Sequence, residues 1–178
     1  MAYTEAIAEA YASAPIEEIV VDTIELYHPA FVDNLGQPAA IRVALSYENL
    51  MLGLEADAIL NPGQMVQFLA CEFTVTLPEV SEDGATPSIQ LGIANVSREI
   101  TKYLEMAKQS LIPIKVTYRP YLLSNPTVPQ MDPPIVLEMS EVDVDVFQAT
   151  GNATLEDIHN FPFPYETYNI NRFPGLRR

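Results

Sequence analysis

Few side chains in this 178-residue chain are of the types that do chemistry. They are two histidines, His28 and His159, one cysteine, Cys71, and closely spaced carboxylates such as Asp143 and Asp145. A histidine base needs a nucleophile within hydrogen-bond reach, and a zinc site needs several ligands at characteristic spacing. Neither histidine stands in such a pattern. His28 precedes Pro29 at the end of a predicted strand and reads as structural or surface. His159, in EDIHNFP, reads as a capping or surface residue. Cys71 lies inside the apolar run MVQFLACEFTVTLP, so a buried, inert thiol is expected. A lone cysteine also excludes an internal disulfide and a cysteine-based zinc site. Asp143 and Asp145 alternate with Val142, Val144 and Val146, the pattern of a solvated strand face. SEDG lacks the alternating oxygen ligands and distal glutamate of a calcium loop and reads as a turn. There is no G-x-S-x-G, phosphate-binding loop or dinucleotide fingerprint. The expectation is a non-catalytic protein with no cofactor and no metal.

The elements that position these residues are mostly strands. Ala6, Ile7, Ala10 and Tyr11 have helical spacing over 3–13, and Pro15 ends that helix. IVVDTIELYHP alternates and predicts a strand to Pro29; NLGQP is a turn; AIRVALSY is a second strand. ENLMLGLEADAILNPGQ is open between strand and loop, closed by NPG. In MVQFLACEFTVTLP the apolar phase switches near Cys71–Glu72, as a β-bulge would make it do. Asp83–Gly84 marks a hairpin turn into SIQLGIAN. VSREITKYLEMAKQS is a helix with Ile100, Tyr103, Leu104 and Ala107 in one stripe and Ser97 as its cap. IPIKVTYRPYLL is a strand, SNPTVPQMDPP a proline-rich loop, and IVLEMSEVDVDVFQAT a second phase-switching strand. The sum is a mainly β (α+β) chain: a β-sandwich or partly open barrel with one packed helix, long bulged hairpins and an extended C-terminal arm. The expected division is a helix or arm over 1–15, a β-rich domain over 16–151 and a proline/aromatic arm over 152–178.

The net charge of −15 argues against gripping nucleic acid or an anionic membrane. No run approaches the roughly 20 apolar residues of a membrane-crossing helix, and the acidic N-terminus does not read as a signal peptide, so the expected place of synthesis is the cytoplasm. The charge is uneven. Arg172, Arg177 and Arg178 fall in the last seven positions, leaving six basic residues against all 24 acids before them. The end FPFPYETYNINRFPGLRR carries Phe161, Phe163, Tyr165, Tyr168 and Phe173 among prolines. A flexible tail is normally poor in aromatics, so this segment is expected to lie against something. Its prolines limit the entropy lost on docking.

AYASAP, IELYHPAF, FTVTLPEVSEDG, LGIANVSREI, IKVTYRPYL and FPGL occur in this order between Ala10 and Leu176. Together they resemble a domain-of-unknown-function family of phage tail-module proteins from long non-contractile-tailed phages. The resemblance implies a tail-tube-like β fold and a non-enzymatic virion protein of the distal tail or tail tip. It implies a homo-oligomeric ring, most simply a hexamer, whose neighbours are tail tube, hub or tip proteins and tape measure. FTVTLP…SIQLGIAN would supply strands of the ring, and the loops at Asp83–Gly84 and Asn125–Pro134 would reach adjacent subunits. Phe161, Phe163, Tyr165, Tyr168, Arg172, Phe173, Arg177 and Arg178 would make the intersubunit contact. A trimeric hub or adaptor, a carbohydrate-binding β-sandwich, an enzyme such as a tail peptidase, and a tail that folds back on its own core are the alternatives.

Overall fold

The computed structural model describes residues 2–3, 18–75, 88–94, 99–107, 110, 112–144 and 148–155. Two strands form its axis, β2 (Val20–Val32) and β8 (Ile114–Leu122), paired antiparallel from Val20↔Leu122 to Tyr27↔Lys115. Both are buried on both faces over most of their length. On β2, Ile24 and Leu26 point to one side while Val21, Thr23 and Glu25 point to the other, as the two-residue strand period requires. β3 (Pro38–Ala44) pairs with β2 through the turn at 33–37. There Asp33 Oδ1 accepts the Leu35 and Gln37 amides at 2.7 and 2.8 Å, and Gly36 takes φ +77°. That turn is the one NLGQP predicts.

The remaining elements are β1 (Ala2–Tyr3), β4 (Leu50–Gly53), β5 (Met65–Ala70), β6 (Phe73–Val75), β7 (Ser88–Ala94), α1 (Glu99–Ala107), β9 (Met131–Asp132), β10 (Ile135–Val144) and β11 (Gln148–Leu155). Nine strands make one sheet in the order β4-β5-β3-β2-β8-β10-β11-β7-β6, and β1 pairs separately with β9. The sheet is mixed, because β3 and β5 run parallel. The chain is therefore mainly β, and its principal sheet is open and not closed into a barrel. The expected division at 151/152 falls within β11.

Two cores lie on opposite faces. The first gathers Ile24, Leu26, Ile41 and Val43 from β2 and β3 with Phe73, Leu91 and Ile93 from β6 and β7, and Leu104 and Ala107 of α1 pack into it. Strands far apart in the order thus share one core, which means that this part of the sheet curls. Tyr103 meets Phe31 at a tilt of 59°, with ring centres 5.3 Å apart. The second core holds Val21, Ala44, Leu52, Leu54, Ala58, Phe68 and Tyr121, so the β4–β5 hairpin folds over the other face of β2 and β8.

Cys71–Glu72 is the corner between the two. The Cys71 amide donates to the Ala44 carbonyl and the Ala94 amide to the Glu72 carbonyl, each at 3.0 Å. The phase switch read as a bulge in one strand is thus a corner between two. β5 serves the second core, and β6 pairs with β7 in the first. The second switch is a true bulge: Met139 faces Ala153 and Glu141 faces Asn152, leaving Ser140 as the extra residue.

The proline-rich loop packs back on its own sheet. The Gly53 amide donates to the Pro126 carbonyl at 2.9 Å, and a Cβ at Gly53 would collide with the Thr127 carbonyl oxygen. Only glycine permits that approach.

Candidate functional site

Three strands each place one charged residue on the face beneath the β4–β5 hairpin: Glu25 on β2, Arg42 on β3 and Arg119 on β8. Glu25 and Arg42 are direct cross-strand partners, and Arg119 sits opposite Thr23. Arg42 Nε donates to Glu25 Oε2 at 2.6 Å, and Arg119 Nη2 lies 3.5 Å from Glu25 Oε1. The fourth member, Glu55, comes from the 54–64 loop and takes both Arg119 Nε, at 2.7 Å, and Nη2, at 2.5 Å. Arg42 Nη2 reaches the same loop at Asn61 Oδ1, 3.1 Å away. The loop turns through Asn61 and Gly63, both with positive φ, and the Gly63 amide donates to the Glu55 carbonyl at 2.9 Å.

This is a neutral quartet, two positive and two negative charges. Glu25 and Arg119 are 98% buried. Burial alone would raise the Glu55 pKa, but the Arg119 hydrogen bond, the residue's own backbone amide and the guanidinium charge hold it below the ordinary carboxylate range. Burial likewise works against the Arg119 charge, and Glu55 with Glu25 holds its pKa above the ordinary value. Arg119 Nη1 is buried with no hydrogen-bond partner among the described residues. Tyr121, next on that face, donates its hydroxyl to the Gly53 carbonyl at 2.8 Å, and burial pushes its pKa well up. Chemically, the carboxylates are occupied by guanidinium groups and the phenol is held protonated. The arrangement clamps the 54–64 loop, and with it the β4–β5 hairpin, onto the central strands.

The clamp fixes which way the hairpin faces. Leu50, Leu52, Val66 and Phe68 point inward, where Phe68 meets Tyr121 edge-on at 6.2 Å. Met51 pairs with Gln67 and Gly53 with Met65, so Met51, Met65, Gln67 and Leu69 share the outer face. Half-solvated antiparallel sheets normally alternate apolar and polar. Here three of those four outward side chains are apolar, and Met51 is 53% and Met65 46% exposed. Tyr47, just before β4, is fully exposed, and Leu45 and Ile59 are exposed as well.

The residues expected to touch a neighbour, Phe161, Phe163, Tyr165, Tyr168, Arg172, Phe173, Arg177 and Arg178, lie outside the described residues, as do His159, Asp145 and Asp83–Gly84. His28 is buried. Its Nδ1 accepts the Ala30 amide at 2.9 Å, so Nε2 carries the proton and donates to the Ile112 carbonyl at 3.2 Å. Its role is structural. Cys71 is half-buried, and burial raises its pKa, opposed in part by the Ala94 carbonyl contact. Asp143 is exposed. Among the described residues no group of three or more His, Cys, Asp or Glu is placed to hold a metal ion, and no helix is long and apolar enough to cross a membrane.

The quartet was not singled out in the sequence. Its signal was one charge in the middle of each of three apolar strands, in TIELY, AIRVA and TYRPY. A buried charge requires partners, so these three residues can be expected to meet. Their fourth partner, Glu55, belongs to ENLMLGLEADAILNPGQ, whose pattern fits strand and loop alike.

No curated protein matches the chain. A family described as a domain of unknown function, DUF1833, matches residues 6–168, nearly the whole sequence. The chain therefore belongs to the DUF1833 family.

Proposed function

We propose that this chain is a non-enzymatic virion structural protein that forms a ring at the distal end of a phage tail. It would link the tail tube to the tip or baseplate and line the DNA channel. The observation that carries the reading is the apolar outer face of β4–β5, where Met51, Met65 and Leu69 are each partly exposed. Exposed apolar surface of this kind marks contacts between proteins. The clamp beneath it holds the face rigid, which lowers the ordering cost of association. The acidic body suits a channel wall, since like charge keeps DNA from adhering. The resemblance of its ordered words to those of tail-module proteins is what supports this setting.

Native mass spectrometry of the full-length chain tests the reading. A closed ring, hexameric in the simplest case, is the expected result. A trimer would favour a hub or adaptor in the same assembly. A monomer, including one that binds oligosaccharides or cleaves peptides, would refute it.

A further inference from the structure

We propose that the outer face of the β4–β5 hairpin seats the C-terminal arm, residues 156–178, of a second copy of this chain. The inference rests on the assembly reading above and names the surface and its occupant.

Three observations converge. The first is the shape of the face. The outer sides of β4 and β5 present Met51, Met65 and Leu69 around a single polar residue, Gln67, with Leu45 and Tyr47 exposed at the corner before β4. The inner side is already filled by Leu50, Leu52, Val66 and Phe68, and among the described residues Met51, Met65 and Leu69 belong to neither core.

The second is chemistry. Thioethers make favourable contacts with aromatic rings, and the arm carries Phe161, Phe163, Tyr165, Tyr168 and Phe173 at short intervals. The third is charge. Between Arg42 and Arg98 the chain has no basic residue, and Glu48, Asp57 and Glu72 around the hairpin are exposed. The arm's last eighteen residues hold three arginines and one acid, Glu166.

Reach permits a second copy. β11 ends at Leu155, and five strand steps separate β11 from β5 in the sheet, about 24 Å at roughly 4.8 Å per step. The 23 residues of the arm, extended at about 3.3 Å each, span up to ~75 Å, enough to leave one chain and cross to the next.

The test uses full-length protein with the photo-cross-linker p-benzoylphenylalanine in place of Tyr168. Copies labelled with nitrogen-15 and unlabelled copies are mixed before assembly, and cross-linked peptides are mapped by mass spectrometry. The expected result is heavy-to-light cross-links landing within residues 45–69. Their yield should fall at least tenfold in the Met51→Lys/Met65→Lys chain while its urea midpoint is unchanged, because both side chains are exposed. Cross-links elsewhere, or a yield indifferent to the two lysines, would overturn the surface. Cross-links confined to one copy, or no cross-links to protein at all, would overturn the occupant. Native mass of the same sample separates this failure from that of the assembly reading: an oligomer with misplaced or intramolecular cross-links refutes only the inference drawn here, whereas a monomer refutes the ring.

Discussion

Replacing Arg119 with methionine should be among the most damaging single changes in this chain. It removes the only partner of Glu55 in the quartet and one of the two partners of Glu25. Breaking a buried ion pair from one side costs about 3–5 kcal/mol, because a charge is left in a medium that cannot solvate it. Glu55 is 15% exposed and can turn partly toward water, which places the expected loss near the lower end, about 3 kcal/mol. At a slope of roughly 2 kcal/mol per molar urea, the midpoint should fall by about 1.5 M. The chain has no tryptophan, so tyrosine fluorescence and circular dichroism are the probes. The mechanism makes a sharper demand on the double variant Arg119→Met/Glu55→Leu. That change removes one charge of each sign and leaves Glu25 with Arg42, 2.6 Å apart. It should be more stable than Arg119→Met alone by roughly 1–2 kcal/mol. Acid pH provides a second readout. Glu55 has a folded pKa below its ordinary value, so its ionised form stabilises the fold above the usual carboxylate range, and that contribution fades as pH falls through the folded value. Wild type should lose this increment on acidification, and Arg119→Met should not. If the single changes add without coupling, or if both proteins respond to acid alike, the clamp is not what holds the 54–64 loop down.

Three other perturbations probe the surroundings. Gly53→Ala drives a methyl group into the Thr127 carbonyl, a backbone group that cannot rotate aside, and should lower stability by about 1–3 kcal/mol in a calorimetric scan. Tyr121→Phe leaves the buried Gly53 carbonyl without its hydroxyl donor and should cost about 1–2 kcal/mol at neutral pH. Because the folded pKa of Tyr121 is raised, wild type should lose stability as pH climbs above the ordinary tyrosine value, about 10, and Tyr121→Phe should lose less in urea titrations over that range. Cys71 should react with a thiol-specific disulfide reagent at least several-fold more slowly at pH 8 than after unfolding, since burial raises its pKa at the Ala44–Ala94 corner; equal rates would refute that placement.

Local pattern in the sequence determined the class and many of the strands. Alternation in TIELY, AIRVA and IKVTYRPYL, the NLGQP turn, the helix stripe at Tyr103, Leu104 and Ala107, and the phase switch between Met139 and Val142 follow from the two-residue and 3.6-residue periods, which need no knowledge of the partner strand; the strand expected to run on to Tyr47 ends at Ala44. The apolar fraction and lone cysteine likewise limited the protein to a packed domain without disulfide support. Tertiary structure decided what those patterns could not. A phase switch looks the same whether a strand bulges or turns a corner, and only the pairing of β5 with β3 and of β6 with β7 shows that Cys71–Glu72 is a corner. The same holds for the charges. Glu25, Arg42, Glu55 and Arg119 are 13 to 64 residues apart from one to the next along the chain, and a pair interaction depends on distance in space, set here by strand register and loop placement. The outer face of β4–β5 was hidden for a related reason. Met51 and Met65 look like ordinary core residues until the inner side of the hairpin is seen to be filled by others.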